Sequence, residues 1–311
     1  MNYKSCAKAL LSRDNILIIT HKNPDGDTVG SAAALCSFLR RLGKKAALYP
    51  NPQVTEKLMA YAGEFFADED FKAEYTVAVD VADVGLFPRG FGGEVDLCID
   101  HHPTNSKYAK ELLCGPEKAS CGEVIFQLAE SLCIEPNAQE ATLLYIAVST
   151  DCGSFQYHNT KADTLLAASK LVRLGADNAT VNTIFFRKVS MARIKLESMI
   201  YSNMGFYRDG KIAVAIISQK MLNESGATEN DLDDLAGLAG RAEGTMLNIT
   251  IREQLDGSSK VSVRSGKDVS SSDICAVFGG GGHAMAAGCT IYGEPEKARD
   301  MLLNVVDEVW K

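Results

Sequence analysis

Residues 15–31 read Asn15-Ile16-Leu17-Ile18-Ile19-Thr20-His21-Lys22-Asn23-Pro24-Asp25-Gly26-Asp27-Thr28-Val29-Gly30-Ser31. The run from Asn15 to Thr20 is short and apolar, which predicts a buried strand. Over residues 28–42, Val29, Ala33, Leu35, Leu39 and Leu42 fall at helical spacing, with a stop at Gly43. A buried strand that feeds a helix through a polar turn is the unit of a parallel α/β sheet. In such sheets ligands bind beyond the carboxyl ends of the strands. The turn here carries His21, Asp25 and Asp27, an imidazole and two carboxylates within seven residues. Two readings are open for it. A neutral imidazole beside carboxylates suits a divalent metal. Equally, Asp27 would cap the helix from Thr28, and Pro24-Asp25-Gly26 would be an ordinary turn.

The same arrangement recurs along the chain. Residues 46–49, 75–80 and 95–100 read as further strands, and the last two close on Asp80 and Asp100. The end of an apolar strand is a good place for a ligand that bridges two metals, which Asp80 would be, with Asp83 on the adjacent turn; taken alone, Asp80 reads rather as a capping residue on a loop. Asp100-His101-His102 closes its strand with two imidazoles. Adjacent side chains diverge in an extended chain, so one histidine is expected to ligate and the other to face substrate, with Asp100 orienting an imidazole. Helices are expected over 120–133 and 138–150, and the second delivers Asp151 at its end, where a carboxylate opposes the helix dipole. Two divalent ions would be matched by Asp25, Asp27, Asp80 and Asp151, a near-neutral site suited to two-metal attack on a phosphate. Further helices are expected over 161–174, 177–187 and 190–203.

The texture changes after about residue 204. Strands are expected over 211–217, 245–253 and 259–264, with Asp256-Gly257 as a hairpin-like turn, and helices near 229–238 and 294–309. This predicts a smaller α+β domain over 204–311, joined by a linker helix (190–203) to a larger domain over 1–189 with a mainly parallel sheet flanked by helices. Arg264 and Ser265 follow one of the strands, and Gly279-Gly280-Gly281-Gly282-His283 follows later. Successive glycine N–H groups can form a nest for phosphate oxygens, and Arg264 can make a bidentate phosphate contact. His283 could hydrogen-bond a sugar or phosphate; the alternative is a flexible glycine loop. His158 reads as a residue of an exposed loop.

Composition limits the function class. A net charge of −8 argues against a broad nucleic-acid surface but not against a small phosphorylated substrate. No apolar run of about 18 residues is present, so no membrane span is expected. The first residues lack a secretory h-region, and nine scattered cysteines without a CxxC pair point to reduced thiols in a cytoplasm.

With these residues in hand, the chain resembles the DHH phosphoesterases, named for the triplet seen here as Asp100-His101-His102. Residues 21–27, Asp80 and Asp151 match other motifs of that family, and Gly280-Gly281-Gly282-His283-Ala284-Met285-Ala286-Ala287-Gly288 matches the GGGHxxAAG signature of its associated second domain. The resemblance covers essentially the whole chain. It implies two Mn²⁺, with Mg²⁺ as a substitute, and an active site between the two domains. His21, Asp25 and Asp80 would hold one ion; Asp27, Asp80, His101 and Asp151 would hold the other. His102 would contact the scissile phosphate or help protonate the leaving oxygen, and Arg264, Ser265, Gly280, Gly281, Gly282 and His283 would hold the distal nucleotide. The branch it resembles implies hydrolysis of short oligoribonucleotides to 5′-mononucleotides through a bridging water, and dephosphorylation of 3′-phosphoadenosine 5′-phosphate. The alternatives are a phosphodiesterase for cyclic or linear di-AMP and a catalytically silent phosphonucleotide sensor. Partners would be short RNAs and phosphorylated nucleotides, with no membrane and with room for a homodimer.

Overall fold

The computed structural model describes residues 1–232 and 235–310. They form two compact units, Met1–Lys188 and Val189–Lys311.

The first unit is built on strands β1 (Ile16–Ile19), β2 (Ala46–Leu48), β3 (Tyr75–Val79), β4 (Leu97–Asp100) and β5 (Glu111–Cys114). They pair in the order β2-β1-β3-β4-β5, every pair parallel. A parallel sheet covered on both faces needs apolar side chains in both directions, which is why β1 reads Ile-Leu-Ile-Ile without alternation. Short β5, with Glu111 exposed at its start, carries no such signal and is not predicted by the sequence. Helices α1 (Tyr3–Leu11), α2 (Gly26–Arg41), α3 (Glu56–Ala62), α4 (Cys121–Ser131), α5 (Ala138–Asp151), α6 (Ala162–Arg173) and α7 (Asn178–Asn182) accompany the sheet. The helix expected over 177–187 is α-helical only to Asn182 and continues as a wider π turn over Thr183–Arg187. Leu35, Phe38 and Leu39 of α2 enter one core with Ile16, Ile18 and Leu97, each such side chain contributing about 1.5–3 kcal/mol. α5 is buried from Glu140 to Ser149 and packs against α2. The chain leaves β1 toward β2 on one side and leaves β3 toward β4 on the other. That reversal opens a crevice at the carboxyl ends of β1 and β3, where side chains can converge.

The second unit carries β6 (Gly205–Tyr207), β7 (Ile212–Ile217), β8 (Leu247–Glu253), β9 (Ser258–Ser265), β10 (Gly281–His283) and β11 (Ala286–Tyr292) in the order β10-β11-β9-β8-β7-β6. Only β7 and β8 run parallel. Helices α8 (Met191–Ser202), α9 (Gln219–Ser225), α10 (Ser271–Ala276) and α11 (Pro295–Val309) complete it. Ala298, Leu302 and Val306 of α11 pack in one core, while Leu196 and Ile200 of α8 pack in another with Ala213, Ala215 and Ile217 of β7. The helix expected as a linker therefore contributes core side chains to this unit. The helix expected near 229–238 is replaced by 3-10 turns at Glu229–Asp231 and Leu235–Arg241, because Gly237 and Gly240 weaken an α-helix. Asp233 and Asp234 lie outside the described residues. Among the described residues no helix is long and apolar enough to cross a membrane.

Candidate metal centre

The turn after β1 does two jobs at once. Asp25 is the N-cap of α2 and accepts the N–H groups of Asp27 at 3.0 Å and Thr28 at 3.1 Å. The capping residue is thus Asp25 and not Asp27. Relieved of that role, the buried Asp27 crosses to the start of α4, where its two oxygens accept the N–H groups of Cys121 at 2.7 Å and Gly122 at 2.9 Å. The Ser31 hydroxyl donates to it at 3.0 Å. A Cβ on Gly26 would lie 2.4 Å from Thr150 Oγ1, so glycine is what lets this turn sit against the end of α5 that carries Asp151. Asp80 leaves β3 in the left-handed region at φ 60°, a conformation Asp tolerates better than most residues, with its N–H donating to Ile99 at 2.9 Å.

These elements bring six side chains together. His21 Nε2 lies 3.6 Å from Asp25 Oδ1 and 3.7 Å from Asp80 Oδ2. His101 Nε2 lies 3.5 Å from Asp80 Oδ1, 3.7 Å from Asp27 Oδ2 and 3.8 Å from Asp151 Oδ2. Asp80 therefore turns one oxygen to each histidine. The donor atoms of His21, Asp25 and Asp80 lie within 4.8 Å of one another, as do those of Asp27, His101 and Asp151. His101 Nδ1 faces the Lys118 carbonyl at 3.4 Å, the outward partner a ligating imidazole usually has.

His101 and His102 do not diverge as expected. The strand ends at Asp100, the chain bends, and the two rings lie 4.4 Å apart between centroids. Asp80, His101 and His102 consequently also form a compact group of donors. His102 Nδ1, however, is 2.8 Å from Asp100 Oδ1. Asp100 is fully buried, and its other oxygen accepts from Asn105 Nδ2 at 2.6 Å.

Electrostatics show what the cluster can accept. Two carboxylate charges about 4–5 Å apart repel by roughly 3–4 kcal/mol at an effective dielectric near 20. Burial, then the charge of Asp25, pushes Asp27 up to about 7. Burial, then the charge of Asp27, pushes Asp151 up to about 7. Asp80 is raised well above the ordinary carboxylate range by burial and then by Asp27 and Asp25. Burial lowers His101, keeping it a neutral donor. Asp80 Oδ1 is buried and accepts no hydrogen bond among the described residues. The unpaired Asp80 oxygen, the neutral His101 imidazole and the crowded carboxylates are together what one or more divalent cations would satisfy, so the residues fit such ions. Two opposing influences act on Asp100: burial raises it, but hydrogen bonds from His102 and Asn105 outweigh that and hold it below the usual range. The same Asp100 contact raises His102.

The second unit's candidates are placed differently from expectation. Arg264 sits on β9 opposite Asn248 and Ala286, half-buried, with Nη1 donating to the Val263 carbonyl at 3.1 Å. The Ser265 hydroxyl is taken up locally, donating to Val269 O at 2.6 Å and meeting Ser271 Oγ at 2.8 Å. The glycine run is not one nest. Gly279 and Gly280 donate to Ala276 O at 3.0 Å and Cys275 O at 2.9 Å, closing α10, while Gly281, Gly282 and His283 form β10 against β11. His283 is exposed beside the Ala284-Met285 turn. His158 is exposed before α6, and Asp83 accepts the Gly85 N–H at 2.8 Å.

Several supporting groups escaped the sequence reading. Cys121 and Gly122 act through backbone N–H groups, so no side-chain pattern marks them. Asn51 Nδ2 holds the His21 carbonyl at 3.0 Å from a distant loop. Asn105 alone left a trace, as the polar residue three positions after His102.

Residues 15–148 match the DHH family N-terminal domain, and residues 209–311 match the DHHA1 domain. The chain is 32% identical to the bifunctional oligoribonuclease and PAP phosphatase NrnA of Thermus thermophilus, over 94% of this chain and 89% of that protein. It is 25% identical to the protein of the same name from Bacillus subtilis, over 92% of each. An exopolyphosphatase-related protein from Bacteroides fragilis has a similar fold, with a TM-score of 0.88 at 22% identity, covering 98% of this chain and 96% of that one. RecJ of Thermus thermophilus in complex with Mn²⁺ matches with a TM-score of 0.53 at 14% identity, covering 99% of this chain and 54% of that one.

Proposed function

The chain belongs to the DHH family, and we propose that it hydrolyses short oligoribonucleotides to 5′-mononucleotides and removes the 3′-phosphate of 3′-phosphoadenosine 5′-phosphate. The observation that carries the chemistry is Asp80, whose two oxygens face separate groups of donors. The substrate class follows the relatives named for those two activities.

In this reading His21, Asp25 and Asp80 would hold one Mn²⁺, and Asp27, Asp80, His101 and Asp151 would hold a second. Bound there, the ions would supply an activated water and neutralise charge developing on the phosphate. The chain's own residues do the rest. Asp100 accepts the Nδ1–H of His102, which leaves Nε2 for the scissile phosphate or for a proton destined for the leaving oxygen. Asp100 is a positioning residue, because it acts through His102. Arg264, Gly281, Gly282 and His283 hold the far end of the substrate, while Ser265 and Gly280 support the backbone that presents them.

A substrate panel with Mn²⁺ tests the proposal. RNAs of about two to five nucleotides and phosphoadenosine phosphate should turn over much faster than an RNA of about twenty, since a chain of net charge −8 offers no long basic track for a polymer. Preference for the long RNA, for cyclic di-AMP or for pyrophosphate would sink it.

A further inference from the structure

One short segment, residues 118–122, touches the second group of donors from several sides. The Lys118 carbonyl faces His101 Nδ1 at 3.4 Å. The N–H groups of Cys121 and Gly122 hold both oxygens of Asp27, at 2.7 and 2.9 Å. The remaining member, Asp151, is the last residue of α5, where a helix frays most easily. What joins it to the segment is Asn159. Its Nδ2 donates to the Asp151 carbonyl at 3.1 Å and to the Ala119 carbonyl at 3.2 Å. Both partners are acceptors only, so the amide has one usable orientation.

The chain takes a costly path to bring Asn159 back. Gly153, Ser154 and Phe155 lie consecutively in the left-handed region, at φ 53°, 56° and 65°. L side chains rarely adopt it, and such strain persists only where surrounding contacts hold it. Here Ser154 donates to Ser149 O at 2.8 Å, and Gln156 and Tyr157 donate to Cys152 O at 3.0 and 3.1 Å. The reversal ends with Asn159 against both Asp151 and Ala119.

We infer that Asn159 is a positioning residue for the second metal: it fastens Asp151 to the segment that aligns Asp27 and His101, so that three donors from distant parts of the chain converge. The inference rests on the two-ion reading above. It predicts a specific defect, weaker binding of one ion of the two, because a supporting contact of this kind is worth about 10–100-fold in metal affinity or activity.

The test is calorimetric Mn²⁺ titration of the intact, metal-stripped protein as wild type, Asn159→Ala and Asn159→Asp. Wild type is read first: uptake of fewer than two ions counts against the two-ion reading itself. Given two, both variants should keep one ion at wild-type affinity and bind the other about 10–100-fold more weakly. The aspartate variant is nearly isosteric but cannot donate to the carbonyls, so it carries the test if the alanine variant does not fold. At saturating Mn²⁺ kcat should recover, with KM for a dinucleotide unchanged throughout. Wild-type affinity at both sites, equal weakening of both, or failure of both variants to fold overturns the inference.

Discussion

His102 Nδ1 lies 2.8 Å from Oδ1 of Asp100, and Asp100 is fully buried with its other oxygen held by Asn105. Since Asp100 stays ionised, it can only accept, so the proton belongs on Nδ1 and the imidazole is oriented before substrate arrives.

Asp100→Asn tests this orientation. An amide presents a donor where the site supplies donors, so the His102 tautomer is lost while volume is kept. We expect kcat on a dinucleotide to fall by about 10²–10⁴-fold, with KM changed by less than about threefold. A kcat within about tenfold of wild type would remove His102 from proton transfer.

Asp80→Ala should abolish turnover and lower the bound metal measured by elemental analysis. It deletes the carboxylate that faces both His21 and His101. Retention of more than about a tenth of the wild-type rate would show that Asp80 is not the shared group.

Stripped of metal, the protein should lose stability as pH rises from about 4 to about 7. Asp27 and Asp151 titrate near 7 in the folded chain against an ordinary value of 3.8. The folded state therefore keeps protons that the unfolded chain has already released. That contribution is complete below about pH 4 and is lost as pH climbs through about 7. Melting temperatures in chelator should fall across this window, and added Mn²⁺ should raise them most at the alkaline end. A melting temperature that rises with pH in chelator would contradict the assigned burial of these carboxyls.

The glycines of the second unit separate packing from substrate contact. A Cβ on Gly280 would lie 2.3 Å from the Gly288 carbonyl and 2.4 Å from Cys289 Cβ, whereas one on Gly281 meets nothing within 4 Å. Gly280→Ala should therefore destabilise by about 1–3 kcal/mol, and Gly281→Ala should leave the melting temperature unchanged. If Gly281 lies against substrate, its alanine variant will raise KM alone. Normal kinetics for Gly281→Ala would take this glycine out of the binding surface.

The site was legible where the sequence stacks apolar runs against isolated polar residues. Ile16 to Ile19 and Tyr75 to Val79 have no reason to end on His21 and Asp80 unless a strand edge delivers them to one place. The same logic singles out Asp100, His101 and Asp151 as candidates, and the structure brings them to the same place. It failed where the contact is made by backbone or by a bend. The ring approach of His101 and His102 depends on the chain leaving the strand at Asp100, and periodicity is silent on that. In sequence the glycine run is either a nest or a flexible loop, and only the fold shows that its first two N–H groups close α10.

By itself, then, the order of residues determined the alternation of strand and helix, the parallel sheet of the first unit, and the side chains able to bind a cation, because these depend on local periodicity and on chemical type. Tertiary structure alone decided which oxygen of Asp80 faces which histidine, that Asp25 caps α2 while Asp27 is held by α4, and that Asn159 returns to Asp151. Those outcomes depend on distances of a few ångströms between segments tens of residues apart, which are set only when the helices and strands pack.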